Sequence, residues 1–350
     1  MNHNAGNVGV MRGLGRAALN LMWIAISAYG TVMILWLVLK LGGATVWVPV
    51  EMLSSLLPVL LLPSLVIVPL CLLRRRWRLA LLSLPTLLTF LIGYGVFFVP
   101  RIVSAKSDAA RFSFLTYNIH AESVQLEPLL EVIRAADADI VALQEVSPAM
   151  AEALAEQLRV EYPYQALHPN TEDPIWGQGV LSRYPILEDE YWHISLGHQR
   201  VKLEVNGRPL VLYNTHPVHP FRIREGQLFD MQPHQREVDE VLRRAALDSG
   251  SVIIAGDLNM TDQADDYRRM TQHFRDTYRE EGWGLGFTFP DFSQKDALPF
   301  DASLFTAIGR PVARIDFIFH NDDLQAISTR VWPTSGGSDH RPVVAEFAIK

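Results

Sequence analysis

The chain has one cysteine, Cys71, set in an apolar run. Within a single chain this excludes a disulfide framework, a cysteine-built zinc site and a dithiol redox pair. Acidic residues are almost missing from the first 100 positions, where Glu51 stands alone. No internal repeat and no low-complexity tract is visible, so a repeat architecture is not expected. What is present divides in two. Seven of the 31 Lys and Arg and one of the 38 acids precede residue 101, leaving 24 basic and 37 acidic residues, a formal −13 (24 − 37) that the overall −7 conceals. An acidic module repels polyanions, which disfavours non-specific nucleic-acid binding.

The first hundred residues hold three uncharged apolar runs, at about 21–39, 52–73 and 79–99. Each is long enough to cross a bilayer, and the first is too long for a signal-peptide core. Three transmembrane helices are therefore expected, the second carrying Pro58, Pro63 and Pro69, which membrane helices tolerate. Arg12 and Arg16 precede the first run, and Arg74, Arg75, Arg76 and Arg78 separate the second from the third. The positive-inside rule then places the amino terminus and the Arg cluster in the cytoplasm. Three crossings of the plasma (inner) membrane would leave everything after Val99 on the extracytoplasmic, periplasmic side. A linker over 101–110, about 35 Å at full extension, would tether a catalytic domain over 111–350 close to that membrane.

Within that module SVIIAGDLN, Ser251 to Asn259, reads as a buried strand that delivers Asp257 and Asn259 at its carboxyl end. Alone, Gly-Asp-x-Asn reads equally well as a turn. Other segments repeat the pattern. RFSFLTYN ends on Asn118, and a short buried strand over 139–144 ends before Glu145. Between them, apolar residues at 126, 129, 130 and 133 mark a helix, and Ser147-Pro148 caps another that runs to about 160. Asn206-Gly207 between VKLEV and RPLVLYNTH signals a hairpin whose second arm ends in His216. A proline-rich stretch over 217–233 has the length of a lid or rim and contains Arg222 and Arg224, and 234–247 is an amphipathic helix. After GDLN, 264–274 reads as helical. The stretch 282–305 reads as loop, with Trp283, Phe287, Phe289, Phe292 and Phe300 more consistent with loop packing than with a ligand platform.

RIDFIFH places Asp316 inside an apolar strand, where a buried carboxylate needs a cationic partner. SDHRP offers His340 after Gly336-Gly337, with Asp339 beside it. An Asp–His pair among further carboxylates and side-chain amides suits phosphoester hydrolysis. One carboxylate holds a divalent cation, an acid/base handles water, and donors meet the phosphoryl oxygens.

The ordered set YN, QE, LSRYP, NTH, GDLN, RIDFIF and SDHRP, over about 111–349, resembles the endonuclease/exonuclease/phosphatase superfamily. The resemblance implies a mixed α/β (α+β) fold, a four-layered α/β/β/α sandwich with the site at the edge between two sheets. It implies Glu145, Asn118 and Asp339 as the ligands of Mg²⁺ or Mn²⁺. It further implies that Asp257 orients or deprotonates water and Asn259 holds the phosphate, with His340, braced by Asp316, and His216 serving the phosphoryl oxygens. Two departures argue against DNA repair. Asn118-Ile119-His120-Ala121 lacks the Asp of the abasic-site branch, and Trp176-Gly177-Gln178 lacks the acid that partners the first histidine in deoxyribonuclease I.

The expected function is a membrane-anchored, metal-dependent phosphoesterase acting on a lipid head group or small phosphate ester. The alternatives are an extracytoplasmic nuclease, hinted at by Arg222, Arg224, Arg268 and Arg269, and an anchored binding module without catalysis.

Overall fold

A computed structural model describes residues 3–43, 48–100, 110–121, 126–220, 229–291 and 310–350. The chain divides into two units, Met1–Val96 and Phe97–Lys350.

The uncharged runs of the first unit fold as helices, which satisfy their own backbone where side chains cannot. They are α1 (His3–Leu41), α2 (Val48–Ser55), α3 (Leu57–Leu61), α4 (Ser64–Leu73) and α5 (Trp77–Tyr94). Ile26, Cys71 and Ala80 bring α1, α4 and α5 together, while Leu21, Ile24 and Leu35 of α1 and Leu81 and Ile92 of α5 point outward. Here the expectation of three spans is corrected. Two helices, Gly13–Leu41 and Trp77–Phe98, are long and apolar enough to cross a membrane by length and composition. The stretch 52–73 is broken into pieces at Leu56 and at 62–63, because Pro58 and Pro63 lack an amide hydrogen for the helical ladder.

The second unit opens with β1 (Arg111–Asn118), α6 (Leu126–Ala136), β2 (Ile140–Gln144), α7 (Pro148–Gln157), β3 (Tyr164–His168) and β4 (Gln178–Ser182). Then come β5 (Ile186–His193), β6 (Gly197–Val205), β7 (Arg208–Thr215), α8 (Gln232–Ala245), β8 (Ser251–Asp257) and α9 (Asp265–Met270). It closes with β9 (Arg275–Asp276), α10 (Thr277–Glu281), β10 (Asp316–His320), β11 (Leu324–Val331) and β12 (Val343–Ile349). One six-stranded sheet has the order β11-β12-β1-β2-β4-β3, and the other β5-β6-β7-β8-β10-β9. β1 with β2 and β7 with β8 are parallel pairs in otherwise antiparallel sheets.

Alternation along the strands sorts the side chains into layers. Phe114, Ile140 and Val180 of the first sheet meet Leu212, Ile253 and Ile318 of the second in the central core. On the outer face of the first sheet, Leu115 and Val141 pack on Leu130 of α6 and Leu154 of α7. On the outer face of the second, Val211 and Ile254 pack on Val238 of α8 and Tyr267 of α9. This is the expected four-layered sandwich.

Local chemistry sets the boundaries. Ser147 caps α7 by accepting from the Met150 amide at 3.3 Å. Asn206 and Gly207 both take positive φ, +52° and +77°, as a tight hairpin between β6 and β7 demands. The edge strands escape the sequence patterns. β5 is largely exposed at a sheet edge, so it shows no apolar alternation. β3 and β11 are likewise edge strands that need only one covered face. The helix expected over 264–274 stops at Met270, because Arg275 and Asp276 pair with β10 instead. Arg222, Arg224, Phe292, Phe300 and nearly all of the 101–110 linker lie outside the described residues.

A buried ion pair anchors the segment before β10. Arg314 donates to both carboxylate oxygens of Asp276, at 2.9 and 2.7 Å, and Tyr267 Oη adds a third bond at 2.8 Å. Burial pushes the Asp276 carboxyl up, but Arg314 and its hydrogen bonds outweigh this and hold it below the usual carboxylate range. Its stabilising effect is therefore present above the ordinary carboxylate pKa and is lost as pH falls through the lowered value. Asp276→Ala strands the Arg314 charge in the core and is expected to destabilise the second unit by about 3–5 kcal/mol in chemical denaturation. A loss under about 1 kcal/mol would contradict this account of the pair.

Candidate active site

The ends of β1, β2, β7, β8 and β10 deliver Asn118, Glu145, His216, Asp257 and Asp316, and the loop entering β12 adds Asp339 and His340. Register explains the convergence. Asp316 lies directly across the antiparallel ladder from Asp257. Asn118 pairs with Gln144, immediately before Glu145. β7 runs parallel to β8, with Asn214 opposite Ala255, so His216 and Asp257 each follow two residues on.

The glycine of GDLN has a specific cause. Gly256 takes φ +145°, and a Cβ there would sit 1.9 Å from the Thr215 carbonyl oxygen. β8 can approach β7 this closely only without a side chain. Glu145 itself has φ +61°, an uncommon conformation for a residue with a Cβ, which turns its side chain out of the strand.

Asp257 is the hub. Its Oδ1 accepts from the Asn259 amide at 2.9 Å, and its Oδ2 accepts from Asn118 Nδ2 at 3.0 Å. The Nε2 atoms of His216 and His340 each lie 3.5 Å from that same Oδ2. These are ion-pair separations longer than a normal hydrogen bond, so neither Nε2 is tied to Asp257 by one. Burial, with the charge of Asp316 adding to it, raises the Asp257 carboxyl against the opposing pull of His340 and His216.

His340 Nδ1 is held by both oxygens of Asp316, at 2.9 and 3.2 Å. Burial alone would lower its pKa, but Asp316 and Asp257 overcome that and hold the ring well above the ordinary histidine value. Ser338 fixes the loop, its Oγ donating to the Asn118 carbonyl at 2.7 Å and accepting from the His340 amide at 3.0 Å.

The second cluster is made of oxygens. Glu145 accepts from Asn118 Nδ2 at 2.9 Å and from the Ala121 amide at 2.9 Å. Burial pushes its carboxyl up, but His216 and these bonds hold it below the usual range. Asp339 is raised by burial and by the negative charge of Glu145. Its Oδ1 is buried with no hydrogen-bond partner among the described residues. Mutually repelling carboxylates, one with an unmet oxygen, fit a hard divalent cation.

Another group, Asp257, Asp316 and His340, has ligand atoms within 4.8 Å of one another. There His340 gives Nδ1 to Asp316, which leaves Nε2, 3.5 Å from Asp257 Oδ2, as the ring nitrogen open to a proton or a cation.

The eight residues expected at the site, Asn118, Glu145, His216, Asp257, Asn259, Asp316, Asp339 and His340, thus gather at neighbouring strand ends. Asn259 points its Nδ2 to the Pro217 carbonyl at 3.0 Å. Asn118, expected as a ligand, aims its amide nitrogen at two carboxylates and its Oδ1 at the His120 amide. Arg268 pairs with Asp265, and Arg269 with Asp239 and Asp266, which neutralises the basic pair that hinted at a nuclease.

Sequence reading missed several contributors. The ring of Phe289, assigned to loop packing, lies 4.7 Å from that of His340. Thr288 Oγ1 accepts from the Ile315 and Asp316 amides at 3.3 and 3.4 Å. Gln144 and Asn214 join the two sheets beneath the site through a 2.7 Å bond. Asn214 stood out in NTH, but nothing in a single strand shows what faces it from the other sheet.

A histidine bonded to one buried carboxylate and close to another, beside further carboxylates at the edge of a two-sheet sandwich, suits a hydrolase acting on phosphate ester bonds. The family model described as Endonuclease/Exonuclease/phosphatase family matches residues 115–340, and the chain belongs to that family. Among solved structures, an endonuclease/exonuclease/phosphatase from Bacteroides vulgatus superposes with TM-score 0.55 at 19% identity, covering 69% of this chain and 99% of that one. Truncated Caenorhabditis elegans TDP2 gives TM-score 0.52 at 18% identity, covering 68% and 98%. D. rerio TDP2 complexed with a single-strand DNA product gives 0.53 at 16%, covering 68% and 99%. At these identities the likeness is one of fold. No curated protein matches the chain.

Gly256→Ala is expected to destabilise the second unit by at least ~1–3 kcal/mol through the collision with Thr215. Denaturant midpoints measure this, and a wild-type midpoint would contradict the reading of the glycine.

Proposed function

We propose that the chain is a membrane-anchored, divalent-metal-dependent phosphodiesterase that acts on a lipid head group or a small phosphate ester by in-line attack of water. The observation that carries this reading is the convergence on Asp257 Oδ2 of Asn118 Nδ2 at 3.0 Å and two histidine Nε2 atoms at 3.5 Å, with Glu145 bound to the same Asn118.

Asp257, its carboxyl raised by burial, takes the proton from the attacking water. Asn118 and the Asn259 amide hold it in place. His340, anchored at Nδ1 by Asp316 and charged by that neighbour, presents Nε2 to the phosphoryl oxygens or the leaving group. His216 serves the same oxygens from the opposite strand end. Glu145 and Asp339, with Asn118 beside them, would hold Mg²⁺ or Mn²⁺, which supplies Lewis acidity toward a phosphoryl oxygen.

The preference for lipid or small esters rests on the formal −13 of the residues after 100 and on the apolar helices before them. Sidedness depends on one crossing. If the Arg74–Arg78 cluster stays cytoplasmic, passage of the second span through the bilayer carries the hydrolase to the extracytoplasmic side; with the amino terminus also cytoplasmic, this requires α2 to α4 to return the chain across the bilayer. A nuclease is the second reading, favoured by the DNA-bound TDP2 of the same fold.

A panel of lipid, nucleotide and sugar-phosphate esters, with and without EDTA, tests the function. Hydrolysis of at least one phosphodiester is expected, abolished by EDTA and by Glu145→Ala. His340→Ala and Asp257→Ala are each expected to lose at least about 10²-fold in kcat. Turnover that survives EDTA and these substitutions would overturn the mechanism, and preference for oligonucleotides would favour the second reading. For topology, a carboxyl-terminal reporter is expected to be active outside the cytoplasm. Activity only inside would reverse the orientation.

A further inference from the structure

α8 carries two polar side chains on its buried face, His234 and Glu237, both closed off from solvent. Packing against β7 and β8 needs only the apolar Val238, Val241 and Ala245 of the same helix. Burying an imidazole or carboxylate there is costly unless each is bonded. Both are bonded, and to the backbone of the two turns that carry reacting residues.

His234 Nε2 lies 2.7 Å from the carbonyl oxygen of Leu258, the residue between Asp257 and Asn259. A carbonyl can only accept, so Nε2 donates. Its Nδ1 lies 2.7 Å from Asp266 Oδ2, and Arg269 occupies the other Asp266 oxygen at 2.7 Å. Glu237 Oε2 accepts from the Val218 amide at 2.6 Å, two residues past His216. Its Oε1 accepts from the Ser195 and Leu196 amides at 2.8 and 2.7 Å. His198 links that oxygen, at 3.4 Å, to the hydroxyl of Thr215, at 2.7 Å. The two turns are joined to each other by the bond from Asn259 to the Pro217 carbonyl.

We propose that α8 is a brace for the active site, with His234 and Glu237 as positioning residues that set the 257–259 and 216–218 turns. This rests on the reading of His216, Asp257 and Asn259 as reacting residues. Three residues apart on one helix, His234 and Glu237 fix the spacing of the two turns, and with it the approach of His216 Nε2 to Asp257 Oδ2. A displacement of about 1 Å in such a pair costs on the order of 10²-fold in rate without weakening binding to match.

The test uses the full chain in detergent and two readouts, amide hydrogen exchange in the two turns, and kcat and KM on the ester the panel identifies. His234→Leu is expected to speed exchange over 257–260 by at least about ten-fold. It is expected to lower kcat by about 10²-fold with KM changed by less than about three-fold. His234→Gln, which retains a donor for the Leu258 carbonyl, is expected to recover most of both. Glu237→Gln sets an amide NH₂ against backbone N–H groups and is expected to speed exchange at Val218, so it carries the test if His234→Leu fails to fold. Wild-type exchange in both turns of the folded variants overturns the brace, whether or not turnover is detected. Faster exchange in an enzyme whose wild type shows no turnover upholds the brace and overturns the hydrolytic reading instead.

Discussion

Two carboxylates face each other across one rung of an antiparallel ladder, and the site follows from that opposition. Asp257 and Asp316 are paired in register, and both are buried. Like charges directly opposite are unfavourable on an exposed sheet and more so where water is excluded. His340 resolves the conflict by bonding Asp316 and standing 3.5 Å from Asp257. The resolution also produces chemistry. The histidine's pKa is held well above its ordinary value, its Nδ1 is committed, and its Nε2 stands 3.5 Å from a carboxyl that burial has made more basic. Separate packing needs would not place these groups in this relation.

The surrounding elements deliver these groups beside the oxygen cluster, with His216 Nε2 3.8 Å from Glu145 and His340 Nε2 4.0 Å from Asp339. Asn118 is the divider, with one nitrogen donating both to Asp257 and to Glu145. Gly256 lets β8 come against β7 so that His216 reaches the same Asp257 oxygen. Ser338 ties the His340 loop back to the end of β1, closing the circuit between the two sheets. The bonds around this ring run between segments up to 220 positions apart in the chain.

The sequence made the site more legible than the frame that supports it. Asn118, Glu145, His216, Asp257 and Asp316 each end or interrupt an apolar run, which marks them as candidates; singly each reads as well as a turn, and only the ordered set of motifs picks them out together. The central strands β1, β2, β7, β8 and β10 were legible for the same reason, being mostly buried along their length. Edge strands such as β5 carry no such pattern because most of their side chains meet water. His234 and Glu237 were hidden by an amphipathic helix, where a polar residue is expected somewhere and only the packed structure shows which ones face inward. Phe289 was read as packing because a loop aromatic looks the same whether it covers a core or lies against the ring of His340. In the first unit, composition read Met52 to Leu73 as one span, whereas Pro58 and Pro63 divide it. Hydropathy counts apolar residues but not the missing amide hydrogens.

The central claim is that the relay and the cation site are two neighbouring clusters with separate tasks. Anomalous scattering from crystals of the full chain grown with Mn²⁺ tests it most directly. The account predicts a manganese peak within bonding distance of Glu145 and Asp339, with the bond from His340 to Asp316 intact. A peak seated instead among Asp257, Asp316 and His340 would contradict it.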